Sequence, residues 1–145
     1  MEICEDLWVP NPPSVAHALA GANVIINLSA GDEITGKDTY RRELVKGQSA
    51  RLICGYIYAT AGEGESSTDL VFGGHNLIAE NGSVLKEGRR FENGVIYTEI
   101  DIKRLLGERR KNTTFQTAKE PKLIRIPFTI CKEETALTRT FPSRP

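Results

Sequence analysis

Asn23-Val-Ile-Ile-Asn-Leu-Ser29 decides the predicted fold, because its short apolar run of β-branched residues is typical of a strand buried on both faces. Upstream, Asn11-Pro-Pro-Ser14 can cap a helix, which we predict over Val15–Ala20 and expect Gly21 to end. A further strand is predicted at Glu2–Cys4, before that helix. The order strand, helix, strand predicts the parallel sheet of an α/β protein.

Downstream, an apolar period near 3.6 residues predicts a long amphipathic helix that begins near Thr35-Gly-Lys-Asp38 and is closed by Gly55. Its inner face is predicted to carry Tyr40, Leu44, Val45 or Gln48, and Leu52. Its solvent face is predicted to carry mainly Arg41, Arg42, Lys46 and Arg51.

After this helix the apolar period falls to two, which predicts strands over residues 56–61, 70–72, 76–79, 84–86 and 95–101. Asn81-Gly82 is the best hairpin signal among the turns that separate them. A second amphipathic helix is predicted over Ile102–Lys111, and residues 123–128 predict one more strand before a loose tail. That helix is predicted to turn Leu105 and Leu106 inward, and Arg104, Glu108, Arg109 and Arg110 outward.

The composition suits one domain, or part of one, with 145 residues. Lys plus Arg and Asp plus Glu number 19 each, so no charge excess favours nucleic acid or an anionic membrane as partner. No apolar run approaches a membrane span and the N-terminus lacks a secretory pattern, so we expect a soluble, cytoplasmic protein. Three widely separated cysteines, Cys4, Cys54 and Cys131, fit neither a disulfide framework nor zinc ligands.

Cys4 is the candidate catalytic nucleophile. Ile3 belongs to the predicted strand and Glu5-Asp6 break it, so the thiol lies at the carboxyl end of a strand, where open α/β sheets bind ligands. Backbone N–H groups of such a turn favour the thiolate and can form part of an oxyanion hole. These residues alone leave open the alternative that Cys4 is an apolar residue packed at a strand end.

Several motifs of the chain, in order, resemble those of a known family. Ile3-Cys-Glu-Asp-Leu-Trp-Val-Pro10 and Leu19-Ala-Gly-Ala-Asn-Val-Ile-Ile-Asn-Leu-Ser-Ala30 closely resemble the nucleophile region of the nitrilase (carbon-nitrogen hydrolase) superfamily. Five later motifs narrow the resemblance to the glutaminase domain of glutamine-dependent NAD synthetases: Tyr40-Arg-Arg-Glu-Leu-Val45, Gln48-Ser-Ala-Arg51, Tyr58-Ala-Thr-Ala-Gly-Glu-Gly-Glu-Ser66, Thr68-Asp-Leu-Val-Phe-Gly-Gly-His75 and Glu108-Arg-Arg-Lys-Asn-Thr113.

The resemblance implies part of a four-layer α-β-β-α sandwich with a Glu-Lys-Cys triad. Cys4 would attack the side-chain amide of glutamine, and the released ammonia would travel to an ATP-using synthetase domain that amidates deamido-NAD. Glu5 is expected to hold the substrate, and Gly31 and Lys37 match positions near the glutamine. Relatives often carry a serine where this chain has Gly31, and Lys37 has the alternative of a solvated lysine in the first turn of a helix. ATP and Mg are expected only in the synthetase domain, and no metal site is expected here.

Two departures from the family pattern make the chain resemble a fragment. Only three residues precede Cys4, so the triad Glu and Lys are expected to be absent, as is the Ser-Gly-Gly-x-Asp-Ser loop of the synthetase domain. We assign residues 1–130 to the C-terminal portion of the glutaminase domain, and residues 131–145 to a tail that starts the linker. The fragment is expected to be inactive, and to self-associate as a dimer or larger homo-oligomer through sheet surfaces left without neighbours.

Two other functions compete with this interpretation: another nitrilase-type amidase, and a non-catalytic interaction module in which Cys4 is idle. Gly62-Glu-Gly-Glu-Ser66 is not expected to bind phosphate, because no helix begins there. We predict that His75 is structural and bonds turn backbone, and that Cys54 and Cys131 are inert.

Overall fold

The computed structural model describes residues 1–65, 68–115, 123–131 and 136–141. Within these ranges, no helix is both long and apolar enough to span a membrane. In chain order the elements are β1 (Glu2–Ile3), a 3-10 turn (Cys4–Leu7), α1 (Pro13–Leu19), β2 (Val24–Ser29), α2 (Lys37–Arg51), β3 (Gly55–Thr60), β4 (Leu77–Glu80), β5 (Ser83–Glu87) and α3 (Ile102–Lys111).

The five strands form one sheet in the order β1-β2-β3-β4-β5. The first three run parallel and are linked by α1 and α2, whereas β4 and β5 are antiparallel to their neighbours. Both residues of the turn between β4 and β5 have positive φ, 43° at Asn81 and 84° at Gly82, which matches the right-handed twist of a hairpin. The predicted parallel start and the predicted hairpin are therefore confirmed.

Strand β2 is buried on one face and not on both, which corrects the prediction made from its apolar run. Ile25, Tyr56 and Tyr58 point to the helix side and are at most 1% exposed, packed in a core that includes Ala18 and Val45. On the opposite face lie Ile3, Ile26 and Leu28, exposed by 60%, 41% and 49%. We call these three residues the open apolar face.

Two helix arginines lie in the interior, although the apolar pattern placed both on solvent faces. Arg41 of α2 is 1% exposed and Arg109 of α3 is 9% exposed, while Tyr40, predicted to be inward, is 58% exposed. Val45 and Leu105 are buried as predicted. Buried polar partners override the apolar period at the two arginines.

Three predicted strands do not form in the described part of the chain. Residues 70–72 contribute a single bridge, between Phe72 and Asp32. Residues 95–101 and 123–128 carry no strand, and Ile124, Ile126 and Phe128 of the latter are 92%, 77% and 80% exposed. The apolar alternation is present there, but an isolated extended segment gains nothing without a sheet edge to pair with.

Candidate functional site

Cys4 lies where β1 turns into the 3-10 segment, and its backbone is left-handed, with φ 46°. A residue other than glycine rarely adopts this conformation, so the surrounding contacts must hold it there. The Asp6 carboxylate accepts a 2.8 Å hydrogen bond from the Ile3 N–H, and the Asn27 amide donates to the Cys4 carbonyl at 3.3 Å. The thiol is thus displayed on a sharp strand-to-helix turn, the geometry of a nucleophile elbow.

The sulfur of Cys4 accepts a hydrogen bond from the Ser29 hydroxyl, with 3.5 Å between Sγ and Oγ. Ser29 ends β2, the parallel neighbour of β1. The Ser29 oxygen in turn accepts from the Tyr58 hydroxyl at 2.6 Å and from the Gly31 N–H at 3.3 Å. Ser29 therefore contacts the sulfur directly, and Tyr58 and Gly31 are linked to the sulfur through the Ser29 oxygen.

This sulfur adjoins an open concavity of about 450 Å³. Cys4 is partly buried, and its cavity lies over the carboxyl ends of the first three strands, as expected for a ligand site in a parallel sheet. A carboxamide of amino-acid size fits such a volume. The lining residues are Ile3, Cys4, Leu28, Ser29, Ala30, Ala59, Thr60, Ala61 and Glu65.

The three expected substrate residues have different settings, and none of them lines the concavity beside Cys4. Glu5 follows Cys4 and is exposed, and Gly31 donates its N–H to the Ser29 oxygen. Lys37, in the first turn of α2, forms an ion pair with Asp32 and lies 5.5 Å from the centre of the Trp8 ring. The hydrogen bond and charge of Lys37 hold the pKa of the Asp32 carboxyl below its usual value.

Gly31 has room for a side chain. A Cβ built on Gly31 would lie 3.6 Å from the Ser29 oxygen and 3.7 Å from the Tyr58 oxygen, both ordinary contacts. A side chain here would stand beside the group that hydrogen-bonds the Cys4 sulfur.

His75 has a structural role, but its partners are side chains and not the predicted turn backbone. Arg41 Nη1 lies 3.0 Å from His75 Nδ1, and an arginine can only donate, so Nδ1 is the unprotonated nitrogen. The other nitrogen, Nε2, therefore donates to the Glu87 carboxylate at 2.7 Å. Both ring nitrogens of this buried histidine are engaged, so it has no free lone pair with which to activate Cys4.

Glu87 makes the stability of this cluster dependent on pH. Burial raises the pKa of the Glu87 carboxyl, but hydrogen bonds from His75 and Arg42 outweigh it and leave that pKa below its usual value. A carboxyl with a lowered folded-state pKa stabilises the fold above its unfolded-state pKa, about 4.3. That contribution is lost as the pH falls through the lower folded-state value.

We therefore expect Glu87→Gln to cost up to about 1 kcal/mol of unfolding free energy at pH 7, because this side chain is 37% exposed and partly screened. The difference from the unmodified chain should shrink below about pH 4. Urea unfolding of both proteins from pH 7 to pH 3 measures it. A difference that stays constant over this range would contradict the assignment.

The two other cysteines lack the setting of Cys4. Burial raises the pKa of the Cys54 thiol to about 12, which leaves it protonated at neutral pH, as expected of an inert cysteine. Cys131 is exposed, outside the helices and strands. Across residues 1–65, 68–115, 123–131 and 136–141, no group of His, Cys, Asp and Glu side chains is arranged to hold a metal ion.

Sequence reasoning missed Ser29 and Tyr58 as parts of the site. Ser29 could have been found, because the carboxyl ends of adjacent parallel strands meet at one edge of a sheet. Tyr58 lies two residues before the end of β3, opposite Asn27 of β2, and reaches the site only through its long side chain. No local pattern signals that reach.

The fold and the displayed cysteine agree with the family that the sequence matches. Residues 1–111 match the carbon-nitrogen hydrolase family, and the chain belongs to it. The structure of Saccharomyces cerevisiae Nit3, a member of branch 10 of the nitrilase superfamily, matches with a TM-score of 0.64 at 20% identity, covering 77% of this chain and 40% of that one. The sheet and its helices are thus part of a nitrilase-type α-β-β-α sandwich.

Within this family, the chain is similar to glutamine-dependent NAD(+) synthetases. It is 47% identical over 117 residues to the Mycobacterium tuberculosis protein of that name, covering 79% of this chain and 17% of the relative. A crystal structure of the Cytophaga hutchinsonii glutamine-dependent NAD(+) synthetase matches with a TM-score of 0.52 and 34% identity, covering 61% of this chain and 13% of that one. The chain therefore spans about a sixth of the length of the mycobacterial relative.

Proposed function

We propose that this chain is the nucleophile-bearing part of the glutaminase unit of a glutamine-dependent NAD synthetase. The observation that carries the proposal is the Cys4 sulfur, displayed on a left-handed turn beside an open concavity and hydrogen-bonded by Ser29. The 47% identity to the mycobacterial synthetase supports glutamine as the substrate class.

In the proposed reaction, the Cys4 thiolate attacks the side-chain carbonyl carbon of glutamine, forming a carbon–sulfur bond and an oxyanion. The oxyanion collapses, the carbon–nitrogen bond breaks, and a general acid protonates the leaving group to give ammonia. Water then adds to the γ-glutamyl thioester. The carbon–sulfur bond breaks to release glutamate and the Cys4 thiolate, and a proton from the water restores the general acid. Glu5, the exposed residue that follows Cys4, is proposed to accept the α-ammonium group of the substrate.

The general base and the oxyanion-binding lysine of this reaction are proposed to come from glutaminase sequence that these 145 residues do not include. The second sheet of the sandwich is proposed to come from there too, packing against Ile26 of the open apolar face and closing the concavity that Ile3 and Leu28 line without filling it. The ammonia is proposed to serve a synthetase domain that uses ATP and Mg to amidate deamido-NAD.

The 145-residue chain alone is therefore expected to show no useful glutaminase activity, because loss of triad members typically costs several orders of magnitude in rate. The test is ammonia release from glutamine by the purified chain, with Cys4→Ala as the matched blank. Turnover near that of an intact relative, abolished in Cys4→Ala, would overturn the expected inactivity.

The chemical role of Cys4 is tested separately, with a glutamine analogue that carries an electrophilic γ-diazoketone. Attack by the thiolate forms a carbon–sulfur bond with loss of N₂, and mass spectrometry locates the label. We expect the label at Cys4 in preference to Cys54 and Cys131, with competition by glutamine. Equal labelling of all three cysteines, unaffected by glutamine, would favour the idle-cysteine alternative.

A further inference from the structure

The Ser29 hydroxyl has a hydrogen-bond arrangement that fixes the direction of its proton. A hydroxyl offers one donor and two acceptor positions. Both acceptor positions are filled, by the Tyr58 O–H at 2.6 Å and the Gly31 N–H at 3.3 Å. The remaining Ser29 proton points at the Cys4 sulfur, 3.5 Å from the oxygen. The Ser29 hydroxyl therefore donates its proton to this sulfur and to no other acceptor.

Tyr58 is held rigidly enough to maintain this direction. Tyr58 belongs to β3, is 1% exposed, and packs in the hydrophobic core. A hydroxyl that accepts two hydrogen bonds is also a stronger donor, because hydrogen bonds in a chain polarise one another. A hydrogen bond to a charged acceptor is about twice as strong as one to a neutral acceptor, so Ser29 favours the thiolate over the thiol.

We propose that Ser29 and Tyr58 form a relay that positions the Cys4 sulfur and stabilises its thiolate. Ser29 touches the sulfur directly, and Tyr58 is a positioning residue that acts through Ser29. This inference rests on the proposed role of Cys4 as nucleophile, and it adds two residues on β2 and β3 that set the reactivity of the nucleophile.

The test is the rate at which iodoacetamide alkylates Cys4 as a function of pH, followed by peptide mapping of the 145-residue chain. In Ser29→Ala the midpoint pH for alkylation is expected to rise by about one unit, so that alkylation below the midpoint slows about tenfold. In Tyr58→Phe the slowing should be about threefold, since Ser29 keeps its proton but loses the donor that orients it. Ser29→Thr retains the hydroxyl and should keep the original midpoint.

Tyr56→Phe is the matched control for Tyr58→Phe. Tyr56 lies on the same strand and is equally buried, but its hydroxyl donates to the Glu2 carboxylate at 2.5 Å and not to Ser29. The relay is overturned if Ser29→Ala leaves the midpoint unchanged, or if Tyr56→Phe moves it as far as Tyr58→Phe does. Thermal unfolding of each variant verifies that the fold is retained.

The experiment separates failure of the relay from failure of the proposed function. Iodoacetamide reads the state of the Cys4 sulfur and requires no recognition of glutamine. Competition between glutamine and the diazoketone label measures recognition of glutamine in the unmodified chain, and it does not depend on any relay variant. Suppose that Ser29→Ala leaves the alkylation midpoint unchanged while glutamine still competes with labelling at Cys4. That result would reject the relay and leave the proposed function standing.

Discussion

Replacing Arg109 with alanine is expected to lower the free energy of unfolding by about 3 kcal/mol or more. The guanidinium group lies at the ends of α1 and α2, where it donates to four oxygen atoms at 2.8–3.2 Å. Its carbon also lies 4.8 Å from the centre of the Phe115 ring. These acceptors are the carbonyls of Ala22, Leu52 and Ile53 and the side-chain oxygen of Asn23.

The size of the effect follows from what the substitution leaves behind. Burial already lowers the pKa of the Arg109 guanidinium, which reflects the cost of desolvating it. Its hydrogen bonds offset that cost, and without them the carbonyls lose their partners at a cost of about 1–3 kcal/mol for each buried one. A lysine cannot reproduce the planar fork, so Arg109→Lys should also destabilise.

Urea unfolding of Arg109→Ala, with Arg110→Ala as its control, measures this effect. Arg110 is the next residue of α3 and is exposed, so its loss should change the stability by no more than about 0.5 kcal/mol. If the two variants unfolded at the same urea concentration, the buried guanidinium would not hold the helix ends together.

Replacing Arg41 with alanine is the second large effect, with an expected loss of about 3–5 kcal/mol. Arg41 Nη1 donates to the Glu33 carboxylate at 3.0 Å and to His75 Nδ1 at the same distance. The Arg41 and Glu33 side chains are 1% and 5% exposed. Without Arg41, the Glu33 carboxylate would stay in the interior, and Arg90, at 3.6 Å, would be its remaining ion-pair partner in the described part of the chain.

The packing around Glu33 leaves the carboxylate little room to move out. A Cβ on Gly73 would collide with the Glu33 carboxylate, so the glycine provides the space that this carboxylate occupies. The Glu33 N–H donates to the Val71 carbonyl at 2.7 Å, which ties the loop before α2 to the segment before His75. Loss of the arginine would therefore strand a buried charge.

A double-mutant cycle tests this explanation. If the cost comes from the stranded charge, Glu33→Gln in the Arg41→Ala background should recover part of the lost stability in urea unfolding. Arg42→Ala is the control, because Arg42 is 40% exposed and its ion pairs with Glu43 and Glu87 are worth about 1 kcal/mol or less. Strictly additive losses in the cycle would contradict the explanation.

These two arginines show where prediction from sequence fails in this protein. The helices α2 and α3 are predictable, because their periodicity is local. The predicted end of α2 at Gly55 is wrong, since the helix ends at Arg51 and Gly55 begins β3. Periodicity assigns any arginine to the solvent face, although the fold brings Glu33 to Arg41 and the buried carbonyls that follow α2 to Arg109. Such partners are distant in the sequence, so the residue pattern of one helix does not predict them.

The residues of the candidate site also differ in whether a local signal marks them. Cys4 is predictable as the candidate nucleophile because a strand followed by acidic residues is a local signal, and because the family motif around it is contiguous. Ser29 and Tyr58 were missed because they meet the sulfur only through the pairing of three strands. The wrongly predicted strand at residues 70–72 has the same cause, since its alternation is local but strand formation requires a neighbouring edge.

The left-handed backbone at Cys4 has an evolutionary consequence. A cysteine side chain has one torsion before its sulfur, so once the main chain is fixed the reactive atom can occupy only a few positions. That main chain is held by Asp6 and Asn27, and neither interaction uses the thiol. The direction of this side chain and its chemistry are therefore set by different residues. If Cys4 is the proposed nucleophile, a serine in its place would keep the direction and lose the reactivity of the thiol.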